Sequence, residues 1–265
     1  MHSRRPALDF ANSLPHWAGN REFCQILNAA SIVTSQLEPY LNQVMLRARA
    51  ALPDNSPLQE ELRIFVQQES THCRYHSRYN RALHEAGYDR LKSLEKMLAA
   101  DYECFLESRS LKFNLAYCEG FECTGPIYAE FLFEQAADLL EGSDPQVAGL
   151  WKWHFAEEFE HRMVAHDAYH RLGGGWLYRL YRLFTTLRHL KKYNALVESH
   201  LVEIDRHGMT PEELRRSRKA SRQLHRRLNW FLLFRLIRVL SPRYSPAGRR
   251  VPRGLKRYLQ EQVPG

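Results

Sequence analysis

Apolar residues recur three and four positions apart along most of this 265-residue chain, and no clear period-two run is flanked by turn residues. The pattern predicts an all-α protein: a four-helix bundle with additional amphipathic helices at its C-terminal end. A first helix is expected over about 21–51, kinked or broken at Pro39. Ser56 as N-cap and Pro57 as first helical residue open a second, which runs to about Ala86. Residues 88–101 read as a short helix or crossover. A third long helix is expected over about 104–141, bent at Gly125-Pro126. Gly142-Ser143-Asp144-Pro145 stops it and starts a fourth, which runs to about Leu172. After three glycines, helices follow over about 176–206 and 211–240, the second opened by a capping box at Thr210 and Glu213. Ser241 to Arg253 is loop, then a short terminal helix. Three parts result: a flexible arm over 1–20, the bundle over 21–172, and a helical extension over 173–265 packed on it.

Composition sharpens this picture in few places. Glycine and proline are sparse, 13 and 12, and lie mostly between periodic segments, which suits long helices. The five cysteines form no C-x-x-C pair and are odd in number, so reduced thiols and a cytoplasmic setting are expected. No apolar stretch follows the basic N-terminus, and the run from Trp230 to Phe234 stops at Arg235, so neither a secretory leader nor a membrane span is expected.

Charge is unevenly placed. Residues 171–265 hold 22 Lys/Arg against 6 Asp/Glu, whereas the remainder holds 16 against 24. The first part is acidic, as a cation site requires. The second is basic and interleaved with large apolar side chains.

The candidate chemistry lies in the acidic part. Glu38 is followed by Glu69-x-x-His72, then Glu119, then Glu158-x-x-His161, each in its own helical segment. At about 100° per residue, Glu69, His72 and His76 share one narrow helix face, and so do His154, Glu158 and His161. Four antiparallel helices in that order aim carboxylates and imidazoles at one axis, the ligand pattern of ferritin-like two-metal carboxylate sites. The expected ligands are Glu38, Glu69, His72, Glu119, His154, Glu158 and His161. His76 and Glu122 are additional ligands or stand behind them, and Glu122, one turn from Glu119, is able to replace it. Glu157 and Glu160 crowd Glu158 without completing the spacing. His166 and His170 fall on another face and are expected in solvent. Tyr75, Tyr79, Tyr117 and Tyr128 read as packing. Mixed carboxylate and imidazole donors suit two iron ions, with manganese or zinc as substitutes.

At these residues the chain resembles the bacterial family of predicted metal-dependent hydrolases. The matching stretches are Phe65-Val-Gln-Gln-Glu-Ser-Thr-His-Cys-Arg-Tyr-His76 and Trp151-Lys-Trp-His-Phe-Ala-Glu-Glu-Phe-Glu-His161, with Ala116-Tyr-Cys-Glu119, Gly87-Tyr-Asp89 and the Pro-Arg-Tyr-Ser-Pro segment near Ser241. The resemblance covers about residues 25–245. It departs at Thr34-Ser-Gln-Leu-Glu38, where a Phe-Pro-x-Gly-Glu pattern is expected, so Glu38 is the ligand least supported by it. His154-x-x-x-Glu158-x-x-His161 is also similar to the ligand motif of di-iron para-aminobenzoate N-oxygenases, which implies dioxygen activation and oxidation of an amine.

The leading expectation is therefore a non-haem di-iron oxygenase acting on a small or lipophilic organic substrate. Its electrons come from an external donor, since no flavin or nicotinamide fingerprint is present. The alternative is a binuclear metal-dependent hydrolase. Iron storage is a third reading, which the basic extension argues against. In that extension, residues 176–184 and 226–238 are basic amphipathic stretches. Their apolar faces are expected to cover the bundle; a peripheral contact with an anionic membrane, delivering an acyl substrate, is the other role they suit. Nucleic acid is the weaker candidate, because no binding motif accompanies the charge. A dimer is compatible with everything above.

Overall fold

The computed structural model describes residues 1–261, and among these the regular structure is entirely helical. The ten α-helices are α1 (Arg21–Ala50), α2 (Leu58–Glu85), α3 (Leu91–Ser108), α4 (Leu111–Glu122), α5 (Gly125–Glu134), α6 (Pro145–His161), α7 (Val164–Arg171), α8 (Trp176–Arg206), α9 (Pro211–Leu236) and α10 (Leu255–Glu261). Short 3-10 turns cover Ile237–Leu240 and Pro246–Gly248. No helix among the described residues is long and apolar enough to cross a membrane.

Pro39 neither breaks nor divides α1, which runs unbroken for 30 residues. Proline has no N–H to donate to the carbonyl four residues back. That carbonyl, on Ser35, instead accepts from the Cys73 thiol of α2 at 3.5 Å. A neighbouring helix thus satisfies the group the proline leaves open.

Elsewhere the helices are shorter than expected. The long helix foreseen over 104–141 is three: α3 ends at Ser108, Ser110 caps α4 by accepting from the Phe113 N–H, and the chain breaks again before Gly125. The fourth divides at Arg162–Met163 into α6 and α7. Asp144 caps α6 as foreseen, accepting from the Gln146 N–H at 2.8 Å. At α2 the cap position is Pro57 and no side chain caps it, so Ser56 does not play its expected part. The box at Thr210 and Glu213 is present in both directions.

The first 20 residues are not a loose arm. They lack helix but are pinned to the bundle: Phe10 and Trp17 are buried, the Trp17 indole donates to Asn28, and the Ser13 hydroxyl donates to Asp144. Arg4 is buried against Glu157 and Glu160 of α6.

α1 packs along α2 and also against α3, α4 and α8, while α2 meets α6 and α7, and α4 meets α7 and α8. The core between them is rich in large side chains, with Phe23, Leu37, Leu41, Phe65, Tyr79, Trp151 and Trp153 almost wholly buried. Each such aliphatic or Phe side chain contributes about 1.5–3 kcal/mol by leaving water. Glutamates and histidines sit at the centre of that apolar packing. α8 is built into the bundle, whereas α9 lies largely on the surface with only Leu224 buried.

Candidate metal centre

Four helices supply the central cluster: Glu38 from α1, Glu69, His72 and His76 from α2, Glu122 from α4, and His154, Glu158 and His161 from α6. All are at most 2% exposed. The three-residue spacing on α2 and the four- and three-residue spacings on α6 put each set on one face, and the crossing of α2 with α6 brings those faces together.

The distances describe two adjoining groups. His72 Nδ1 lies 3.2 Å from Glu69 Oε1, 3.8 Å from Glu38 Oε1 and 3.9 Å from Glu158 Oε1. His154 approaches Glu38 at 3.7 Å and Glu158 at 3.6 Å. On the other side His161 Nε2 lies 3.3 Å from Glu122 Oε2, and 3.5 Å from both Glu69 Oε1 and Glu158 Oε1. Glu69 and Glu158 are common to both groups. Ligand atoms of four overlapping sets each converge within 4.8 Å: Glu38, Glu69 and His72; His72, His154 and Glu158; Glu69, Glu158 and His161; and Glu38, His76 and His154.

Both carboxylate oxygens of Glu38, Glu69, Glu122 and Glu158 are buried without a hydrogen-bond partner, as are His72 Nδ1 and His161 Nε2. The close approaches lack hydrogen-bond alignment. Leaving so many polar atoms unpaired in an apolar interior is costly. Cations held among them would remove that cost, so the donor set fits bound metal.

Glu119, expected as a ligand, is turned elsewhere. Its Oε1 accepts from Arg179 Nη1 of α8 at 3.1 Å and lies 3.2 Å from His166 Nδ1. Arg179 also donates to the carbonyls of Val239 and Ser241, at 2.5 and 3.2 Å. The guanidinium thus captures the first of two glutamates one turn apart on α4, and Glu122 is the one that faces His161. His166 is correspondingly buried rather than in solvent, while His170 is exposed as expected. Tyr75, Tyr79 and Tyr117 bond to Pro6, Asn28 and His189, and Tyr128 stacks on Phe155, all as packing groups.

Side chains that the spacing did not single out hold the imidazoles in place. Glu157 Oε2 lies 3.0 Å from His72 Nε2, while its Oε1 accepts from Arg4. That fixes which ring nitrogen of His72 faces the carboxylates. Gln68 Oε1 is 3.1 Å from His161 Nδ1 and does the same there. His76 Nδ1 is 2.9 Å from Ser31 Oγ, and its Nε2 meets His154 Nδ1 at 3.2 Å, so His76 stands behind His154. Orienting partners of this kind sustain about 10–100-fold of metal affinity. Arg4→Ala is therefore expected to weaken metal binding by about that factor without unfolding the protein, as read by competition with a chelator.

Titration follows from the crowding. Burial, then the charge of Glu69, holds Glu38 well above the usual carboxylate range. Burial and the Glu158 charge push Glu122 up to about 8. Burial opposes charge on His72, but Glu69 and Glu157 overcome it and carry the imidazole up to about 9. Burial keeps His154 neutral, down to about 3. Groups raised on folding contribute stability that is lost as pH rises through their folded values. From about pH 6.5 to about pH 9 the shifts of His72 and Glu122 act in that one direction. The metal-free protein is expected to melt progressively lower across this window. Binding a cation displaces the same protons, so the gain in melting temperature on adding Mn(II) is expected to widen. Calorimetry with chelator and with metal checks both trends.

No curated protein and no solved structure matches the chain. One family matches over residues 2–249, almost the whole length, and its description is "predicted metal-dependent hydrolase". The buried carboxylate and imidazole donors agree with the metal dependence that this description asserts, and the chain belongs to that family.

Proposed function

We propose that the chain is a two-metal enzyme whose cations would be held by Glu38, Glu69, His72, Glu122, His154, Glu158 and His161, with Glu69 and Glu158 placed between the two groups of donors. The observation that carries this reading is the set of unpartnered, buried carboxylate oxygens on four helices facing one point.

For the reaction we favour oxidation of an organic substrate by dioxygen. When bound, an iron pair supplies the reducing power that dioxygen needs, and a carboxylate-rich donor set with three imidazoles suits iron. The centre is enclosed by Phe65, Trp151, Trp153 and Phe155, all buried. One oxygen atom enters the substrate and the other leaves as water, with the balance of electrons drawn from a separate reductant. Glu157 and Gln68 keep the imidazoles aimed, and the apolar wall keeps bulk water out.

Hydrolysis is the second reading, favoured by the family's description. Two cations about 3.5–4 Å apart lower the pKa of a shared water and clamp an ester or phosphate. The deciding experiment is anaerobic loading with Fe(II) or Zn(II). Oxygen uptake by the iron form, in the presence of reductant, supports oxygenation. Ester or phosphate cleavage by the zinc form, indifferent to air, supports hydrolysis. A protein that retains neither metal sinks both.

A further inference from the structure

The basic helices cover the bundle with only part of their apolar surface: Leu190, Tyr193, Val197 and Leu201 of α8 are buried, and Leu228 and Phe231 of α9 pack on the core, but other apolar side chains face away. On α8, Leu177, Tyr181 and Phe184 fall at helical spacing and point into solvent; on α9 and the turn after it, Trp230, Leu233, Phe234 and Ile237 do the same. All seven are between 51% and 73% exposed. The two stripes belong to one end of the molecule. The Trp176 indole donates to the Leu240 carbonyl at 3.1 Å, Arg179 clasps Val239 and Ser241, and Leu183 packs with Val239. Most large apolar side chains that the chain exposes are gathered here.

Positive charge frames both stripes. Arg188 lies one turn beyond Phe184, Arg222 and Arg226 precede Trp230 on the same face, and Arg238 and Arg243 follow. All five are exposed and none makes an ion pair among the described residues. By contrast, Arg227 and Arg235 are paired, with Asp138 and Glu130. The sequence has no Asp or Glu between residues 172 and 197 or between 214 and 260.

We propose that this face docks on an anionic lipid surface. Aliphatic and aromatic side chains enter the boundary between headgroups and acyl chains, and the arginines around them meet lipid phosphates. A second copy of the chain is a poorer occupant, since it sets arginine against arginine with no acid between them. Nucleic acid would engage the arginines but leave Leu177, Leu233 and Ile237 without a role.

The test is co-sedimentation of the full chain with vesicles of phosphatidylcholine alone or mixed with phosphatidylglycerol, at low and high salt. Binding is expected to the anionic vesicles and about ten-fold or more weaker to the neutral ones. Two variants are each expected to weaken it by a similar factor: L177S/F184S/W230S/F234S, and R222Q/R226Q/R238Q. A third, R215Q/R218Q/K219Q, removes equal charge from the polar first half of α9 and is expected to bind almost as the parent does. All the positions are on the surface, so helical circular dichroism should be retained. The proposal is overturned if the parent ignores anionic vesicles. It is also overturned if the apolar variant binds as well as the parent, if the third variant loses as much as the second, or if the parent is a dimer that the apolar variant splits.

Discussion

Glu69→Gln is expected to strip the protein of metal, from about two ions per chain to about none, while leaving the stability of its metal-free form close to the parent's. The two halves of this result have one cause. Glu69 approaches His72 on one side and His161 on the other, and both of its oxygens lack partners. An amide in its place presents N–H donors where two cations need an anion. Loss of groups that merely orient ligands costs about 10–100-fold in affinity, and loss of a donor common to both groups should exceed that. Without metal, burial first and then the Glu158 charge raise the Glu69 carboxyl, so its removal relieves repulsion, while His72 loses the carboxylate that favours its charge, and the two effects oppose each other. Elemental analysis and calorimetry read the two effects. Glu119→Gln is the contrasting case. It keeps its metals but loses the anion that pairs with buried Arg179, at a cost of about 3–5 kcal/mol in stability. A Glu69→Gln protein that kept its full metal content would remove Glu69 from the centre.

Gly125→Ala is expected to cripple the centre from outside it. Gly125 opens α5 directly over Glu158: a Cβ there would overlap Glu158 Oε2 and meet its Cβ at 3.1 Å and its Cδ at 3.3 Å. The carboxylate tip is flexible and can swing away, but its Cβ is tied to α6, so α5 must give as well. Overpacking of this kind costs about 1–3 kcal/mol. The larger effect is on metal binding, because a carboxylate common to both groups of donors is pushed off its position. Metal affinity should fall by more than about 100-fold with a melting temperature only a few degrees lower. Gly149→Ala is the matched control. Its Cβ meets only the Leu8 side chain at 3.1 Å, and metal binding should persist.

How much of this was legible beforehand depended on the range of the interaction concerned. The two Glu-x-x-His elements were readable because a helix fixes three-residue spacing by itself, and His154 joined them for the same reason. Glu119 against Glu122 was not decidable locally. The two share a helix face, and the choice is made by Arg179, sixty residues away on α8. Glu157 was passed over because its spacing to His161 is wrong for a ligand, although it is right for bonding His72 across the gap between α2 and α6. Gly125 looked like a bend and nothing more, since what it makes room for lies on another helix. The breaks at Ser110 and Met163 went unseen because apolar spacing continues through them, although a serine ahead of Leu111 is an ordinary cap signal. The pinned N-terminal segment was mistaken for a loose arm because its polar composition hides Arg4, whose partners Glu157 and Glu160 lie on α6.

Four of the five tryptophans divide between two optical regions, and the fifth, Trp17, is buried against Asn28 outside both. Trp153 sits edge-on to His72 with ring centroids 4.7 Å apart, and Trp151 lies 4.9 Å from His76; both are buried. Trp176 and Trp230 face solvent. Blue-edge emission therefore belongs largely to rings beside the centre, where an arriving paramagnetic ion quenches it. Red-edge emission includes rings that a lipid surface would shield. A single fluorescence spectrum can thus follow metal uptake and surface attachment separately, with no substrate added.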